Sequence, residues 1–317
     1  MNSAPPCVSF IAIVDFSARW KYSTESVSDL LGWEPSDLRD RSFFELVHPD
    51  ELSQVQQLHC DTVLSDKAAA LAYMRLKHKD AHKGYVLCVI SRTVVYDQIV
   101  GSVSFASTGG KALHNSSTAQ EITVITPAAS NFKFRRWTDP SPDSTRFPTP
   151  RGIIVRSPPV DLPSSQSSRT ALILDRFSVN CTVTYYSNNQ IISAAAATKR
   201  PFFDFVAVRD ESVVRSWLDV IKACGVNERG HPSSGGFGYG RFLLCTEGRD
   251  TINHASEFPP ARRRAPTASR VPGSRHACPV LSHSPSPAAE NSPPNIAVDA
   301  IFSAHSDGLV VILRRAE

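Results

Sequence analysis

Ser42-Phe43-Phe44-Glu45-Leu46-Val47-His48-Pro49-Asp50-Glu51 sets an aromatic-rich turn directly ahead of an acidic pair, and the chain uses this phrase twice. Phe202-Phe203-Asp204-Phe205-Val206 repeats its aromatic half, and Asp210-Glu211 repeats the acidic pair. A helical stripe follows in both places: Leu52, Val55 and Leu58 after the first copy, then Val213, Val214, Trp217, Leu218 and Ile221 after the second. Apolar residues three and four apart share one helix face, so each phrase heads a long amphipathic helix. Asp50, after His48-Pro49, is expected to cap the first of these helices. Matching segments at matching positions indicate a domain laid down twice.

Upstream of the first phrase, Val8 to Val14 reads as a strand and Arg19 to Ser23 as a second, shorter one. Ser26 or Ser28 can cap a turn into Leu30, Leu31 and Trp33, and Pro35-Ser36-Asp37-Leu38 can open another. Downstream come three strand runs, Leu71 to Lys77, Tyr85 to Tyr96 and Ile99 to Phe105. In the last of them Ile99, Gly101, Val103 and Phe105 alternate with Val100, Ser102 and Ser104, the period of a half-buried antiparallel strand. The second copy repeats this order with strands at Ala171 to Asp175, Thr182 to Tyr186 and Gly240 to Thr246, and there it stops short. Its missing hairpin is expected at Ile296 to Ser303 and Leu309 to Leu313, which flank His305-Ser306-Asp307-Gly308, since Asp-Gly between apolar runs is a strong hairpin signal.

Proline marks what lies between. Eight of the 23 prolines fall in 107–169 and nine in 251–295, among Ser, Thr and Ala with few large apolar residues. Such composition buries too little surface to offset the entropy of ordering. The expected organisation is therefore a first domain at 1–107, a Pro/Ser-rich linker at 108–169, a second domain at 170–247 plus 296–317, and a disordered insertion at 248–295 within it. Loop closure costs grow slowly with length, so the insertion is tolerable. Strands, then short helices, then strands make the fold class α+β: two units, each a five-stranded antiparallel sheet with short helices on one face.

Composition bounds the function classes. With 34 basic against 30 acidic residues the formal charge is +4 in a chain of 317, too little to mark nucleic acid or a bilayer as the main partner. The longest apolar runs fall far short of a membrane helix, and Asp15 closes the N-terminal one without a basic segment before it, which argues against a secretory signal. The seven cysteines are odd in number and form no CxxC pair, so they read as reduced thiols rather than a disulfide framework or a zinc ribbon.

The order of elements, together with the phrase at Ser42 to Glu51 and Leu30-Leu31-Gly32-Trp33 ahead of it, resembles the PAS fold. The second copy matches more loosely, since Ala207-Val208-Arg209 replaces the His-Pro step. The arrangement is similar to fungal PAS regulators of the white-collar type, and that resemblance implies a nuclear or cytoplasmic, non-enzymatic signalling or transcription-regulatory protein whose partner is another PAS-containing protein or itself.

Several features bear on chemistry. The flavin-binding subclass attacks flavin with a cysteine that follows the second strand. Asn180-Cys181 precedes its strand, and no cysteine lies in 34–59 or 190–223, so no flavin is expected. His59 is a possible heme ligand on the long helix, but a lone histidine there is more often exposed or hydrogen-bonded in the core, and His78 and His82 fall in a hairpin turn without a third ligand; no cofactor and no metal are expected. Gly235 to Gly240 leads into a strand rather than a helix, which disfavours phosphate binding. A GATA-type finger is excluded by the missing CxxC pairs, and Lys133-Phe134-Arg135-Arg136-Trp137 and Arg262-Arg263-Arg264 are short enough to be solvated linker, so no direct nucleic-acid contact is expected. No nucleophile, base and orienting group assemble into a catalytic set.

Two sets of site residues remain. Phe43, Phe44, Tyr73 and Phe105 would line a ligand pocket between sheet and helices, or simply fill the core. Leu309, Val310, Val311, Ile312 and Leu313 are consecutively apolar, so both faces of that strand want cover. One face belongs to the core; the other is expected at a partner interface, or against the linker or the other copy.

Overall fold

The computed structural model describes residues 8–106, 119, 121–132, 168–193, 197–224, 237–249 and 295–316. The first unit opens with β1 (Ser9–Asp15) and β2 (Trp20–Ser23), passes through the short helices α1 (Ser26–Leu31) and α2 (Pro35–Leu38), and reaches the long helix α3 (Leu52–Leu64). Strands β3 (Ala70–Lys77), β4 (Tyr85–Val95) and β5 (Gln98–Phe105) then form antiparallel neighbours. Strand β6 (Glu121–Val124) adds to β3 in parallel, so the sheet order is β2-β1-β5-β4-β3-β6. The first sheet thus has six strands rather than five, and part of the stretch read as linker pairs with it.

The aromatic phrase is a pair of tight turns. Ser42 and Glu45 form a reciprocal capping box around the 3-10 turn Phe43–Leu46, and His48, not Asp50, caps the next turn, Pro49–Glu51, through Nδ1. Proline at the first position of that turn leaves His48 as the residue flanking it, which is why the cap moves two residues upstream. Glu51 is buried, accepts the Arg75 backbone N–H at 2.7 Å and pairs with Arg75 Nε at 2.6 Å, tying α3 to β3.

The second unit repeats the plan. Strands β7 (Arg169–Asp175) and β8 (Val183–Tyr186) precede a 3-10 turn at Phe202–Phe205 and the helix α4 (Val208–Cys224), followed by β9 (Phe237–Cys245), β10 (Asn295–Ala304) and β11 (Gly308–Arg315). The order is β8-β7-β11-β10-β9, the first sheet's order without β6, and the chain's last hairpin lies between β7 and β9. Equivalent bonds recur: Asp210 Oδ2 accepts the Leu243 N–H as Glu51 accepts that of Arg75, and the lone bridge Val206 to Leu244 matches Val47 to Leu76. On α4 the buried stripe is Val214, Leu218 and Ile221, whereas Val213 points outward, because 3.6 residues per turn place it beyond the inward arc. Gly240 explains the glycines at this strand: a side chain there would strike the Trp217 ring, so their smallness lets α4 lie close to the sheet.

Candidate functional site

Each sheet packs one face on its own helices and presents the other outward, and the two outward faces pack on each other. Ile11, Ile13, Val95 and Val100 of the first unit form one buried cluster with Ala171, Ile173, Val310 and Ile312 of the second. Register makes many of these pairs equivalent. Asp15 pairs with Gln98 as Asp175 pairs with Gly308, so Ile13 corresponds to Ile173 and Val100 to Val310. Tyr22 corresponds to Tyr185 by the same counting, and their rings lie 4.6 Å apart. Equivalent residues in mutual contact are what a two-fold, self-complementary interface produces, here within one chain.

Polar bonds fix the edges of this joint. Arg169 donates to Asp66 Oδ1 at 2.9 Å and to the Val94 carbonyl at 2.8 Å. Opposite, the turn between β10 and β11 reaches the first unit: the Ser9 N–H donates to Ser306 Oγ at 2.9 Å, and the Ser26 N–H at the start of α1 donates to Asp307 Oδ2 at 2.7 Å. His305 is buried between them, with Nδ1 3.5 Å from Ser9 Oγ and Nε2 3.1 Å from Ser303 Oγ, while Arg176 donates to its carbonyl. Burial, reinforced by the nearby Arg176 charge, pulls the His305 pKa down to about 3.

Between sheet and helices the two units differ. The first holds a half-open cavity of about 50 Å³ whose wall includes Ala12, Trp20, Phe43, His59, Arg92 and Gly101. Ala12 faces Gly101 across one rung and Gly101 faces Arg92 across the next; in the second unit the equivalent rung reads Leu172, Val311, Phe302. Large apolar side chains fill the second core at these positions, and Phe302 lies 6.5 Å from Phe242 and 6.4 Å from Phe202. Alanine and glycine leave the matching space open in the first. Glycine is also required there, because a Cβ on Gly101 would meet the Ser91 carbonyl oxygen.

The cavity wall holds a buried cation. Arg92 is 9% exposed, and Nη1 donates to Thr62 Oγ1 at 2.9 Å. Among the described residues Nε and Nη2 have no hydrogen-bond partner, nor has the buried Trp20 Nε1. Among the described residues no carboxylate pairs with Arg92; Glu121, whose charge reaches it, is bound to Lys67 at 2.7 Å. Burial lowers the Arg92 pKa to about 10, so it remains cationic at neutral pH. His59 Nε2 lies 2.9 Å from the Phe16 carbonyl, which only accepts, so that nitrogen carries the proton and Nδ1 is the free acceptor. Burial and the Arg92 charge lower the His59 pKa and keep the ring neutral.

Phe43 lines the cavity; Phe44 and Phe105 pack in the same core, Phe44 edge-on to His59 at 5.5 Å. Tyr73 does not join them. Side chains alternate along β3, so Ala72 and Met74 face that core while Leu71 and Tyr73 lie on the opposite face with Val89, Ala129 and Phe132. Leu309, Val311 and Leu313 point into the second core, and Val310 and Ile312 into the inter-sheet cluster. His78 Nδ1 accepts the Asp80 N–H and His82 is exposed; no cluster of metal-ligating side chains occurs among the described residues. Cys181 is buried, and burial raises its pKa, so its thiol stays protonated. Residues 133–137 and 262–264 lie outside the described residues. Arg92 and Trp20 were missed as site residues. A charged residue flanked at two-residue spacing by Ile90 and Val94 was the signal that marks it as facing the core.

Residues 21–103 match the family model described as PAS fold. Protein trachealess of Drosophila melanogaster is 32% identical over 90 residues, 28% of this chain and 8% of that protein, so the chain spans under a tenth of that relative's length. Among solved structures, the PAS domain of the Cronobacter turicensis RpfR quorum-sensing receptor in complex with BDSF is 14% identical, covering 33% of this chain and 100% of that one with a TM-score of 0.29. PAS-B of Drosophila melanogaster Cycle with bound ethylene glycol is 15% identical, covering 31% of this chain and 99% of that one with a TM-score of 0.27. No helix among the described residues is long and apolar enough to cross a membrane.

Proposed function

We propose that this is a non-enzymatic PAS regulatory protein that works by pairing, through its sheet faces, with another PAS-containing protein or a second copy of itself. The observation that carries this reading is the self-complementary apolar face on each sheet, with Ile13 and Val100 on one matched by Ile173 and Val310 on the other. The internal pair holds these faces together, and a partner would exchange for one of them. The likeness to white-collar-type regulators, a transcriptional role and residence in nucleus or cytoplasm belong to this same proposal.

Affinity capture with partner identification tests it. Ile13→Asp frees the intact face of the second unit and Val310→Asp that of the first, whereas the double variant spoils both. Recovery of a PAS-containing partner, or of a differently tagged second copy, is expected to rise with either single variant and fall with the double one. Equal recovery by wild type and every variant would remove the sheet face as the pairing surface.

A second reading, a small-molecule sensor, is favoured by one observation: a cavity whose wall carries buried donors without partners, in the unit whose counterpart is filled.

A further inference from the structure

The structure assigns to the first unit's cavity a small carboxylate, bound through the Nε–Nη2 edge of Arg92. This rests on the sensor reading of that cavity and names its ligand class. Nε–H and one Nη2–H of a guanidinium point the same way, spaced for the two oxygens of one carboxylate. In Arg92 that edge is the one without partners, since Nη1 is committed to Thr62. A buried charge is ordinarily paired, and a buried donor ordinarily bonded. Trp20 Nε1–H is a further donor without a partner, so the wall offers three buried N–H groups to acceptor oxygens beside the one acceptor at His59 Nδ1. The rest of the wall, with Ala12, Val14, Phe43, Ile90 and Val103, suits a short apolar tail.

Size narrows the class further. At about 50 Å³ the cavity is roughly a third of the ~150 Å³ apolar cavity that admits benzene, room for a few heavy atoms. Formate, acetate and propionate are the probes of that size. Gly101 and Ala12, opposite Arg92 along the rung, make this space, whereas the equivalent rung of the second unit is filled by Leu172, Val311 and Phe302 and carries no cation.

The test uses the full chain, with acetate and its uncharged isostere acetamide at constant ionic strength. The readouts are the indole N–H resonance of Trp20, identified by its loss in Trp20→Phe, and the melting temperature. Acetate is expected to shift the resonance and to raise Tm by about 5–10 °C at a hundredfold excess over Kd. Acetamide is expected to do neither. Arg92→Met fills a similar volume without a charge and should fold yet lose the acetate response; Arg92→Lys, which keeps the charge without the fork, should weaken it by about tenfold or more. Ala12→Leu, copying the second unit's residue, should abolish it by filling the space. An equal response to acetate and acetamide would leave a ligand cavity but overturn its selection of carboxylates, as would an acetate response that survives in Arg92→Met. Silence toward both probes would overturn the sensor reading and this inference together, leaving the cavity to water.

Discussion

Replacing Val311 by aspartate is expected to unfold the second unit, while the same change one residue earlier, Val310→Asp, leaves it folded and opens the joint. Val311 is fully buried among Leu172, Leu174, Phe302 and Leu218. A carboxylate placed there loses its water and finds no cation, at a cost of several kcal/mol, and the lost packing of the isopropyl group adds to it. The sum, at least about 5 kcal/mol, is comparable with the whole ~5–15 kcal/mol stability of a small domain. Val310 faces Ile11 and Ile13 across the two sheets instead. An aspartate there regains water once the sheets part, so its cost is capped at what the joint contributes. A two-transition melt, followed by hydrogen exchange assigned to β7 and β3, separates the outcomes. Loss of protection in β7 for Val311→Asp alone is the expected pattern. Unfolding by both variants would mean that the second unit cannot stand without the first.

The contrast between neighbours also shows what one chain can reveal about its own fold. Two strands at the start, helices in the middle and the Asp307-Gly308 hairpin were legible because each obeys a local rule, alternation in strands or turn chemistry between them. The closing of the second sheet by a hairpin far downstream was legible only because the first copy showed what was missing. Strand β6 was not legible. Four residues, Glu121 to Val124, in a proline-bearing stretch give too short a pattern, and their pairing with β3 is parallel and non-local. The same strand hid the true face of Tyr73, for its segment covers the outer side of β3 and leaves both faces apolar, so alternation vanishes there. The five apolar residues of β11 are the same case, with the core on one side and the partner sheet on the other.

Function was less legible than fold, and for a physical reason. The cavity arises from what is absent at Ala12 and Gly101, judged against Leu172 and Val311 in the equivalent places. Small residues in a strand announce nothing until the register is known. Arg92 gives only a weak signal in the sequence, its apolar neighbours Ile90 and Val94 two residues away on either side, and it is the residues across the rung that place it inside.

Acid is expected to loosen the joint before it attacks the carboxylates, with His305 as the group responsible. In the unfolded chain an imidazole takes its proton near pH 6.5. In the folded protein burial and Arg176 hold His305 neutral down to about pH 3. Its folded pKa is thus the lower of the two, so its contribution is complete above pH 6.5 and is lost progressively as pH falls from there toward 3. The slope is about 1.4 kcal/mol per pH unit, which amounts to roughly 2–3 kcal/mol by pH 4.5. Asp15, Glu45, Glu211 and Asp299 all have lowered pKa values, with Asp299 at about 2, so their stabilisation begins to fail as pH falls through the ordinary carboxylate range and is lost fully only below their folded values. His59 and His78 are lowered as well and act in the same direction as His305. A variant therefore has to isolate it. His305→Gln keeps a side chain that can reach Ser9 and Ser303 but takes up no proton, and its stability should fall between pH 6.5 and 4.5 with a slope shallower than wild type by about one proton. The turn at 305–307 grips both Ser9 and Ser26 of the first unit, so hydrogen exchange in wild type should report opening there ahead of global unfolding. Parallel pH profiles for the two proteins would show that His305 exchanges its proton as freely folded as unfolded, and the acid sensitivity would then have to come from elsewhere in the molecule.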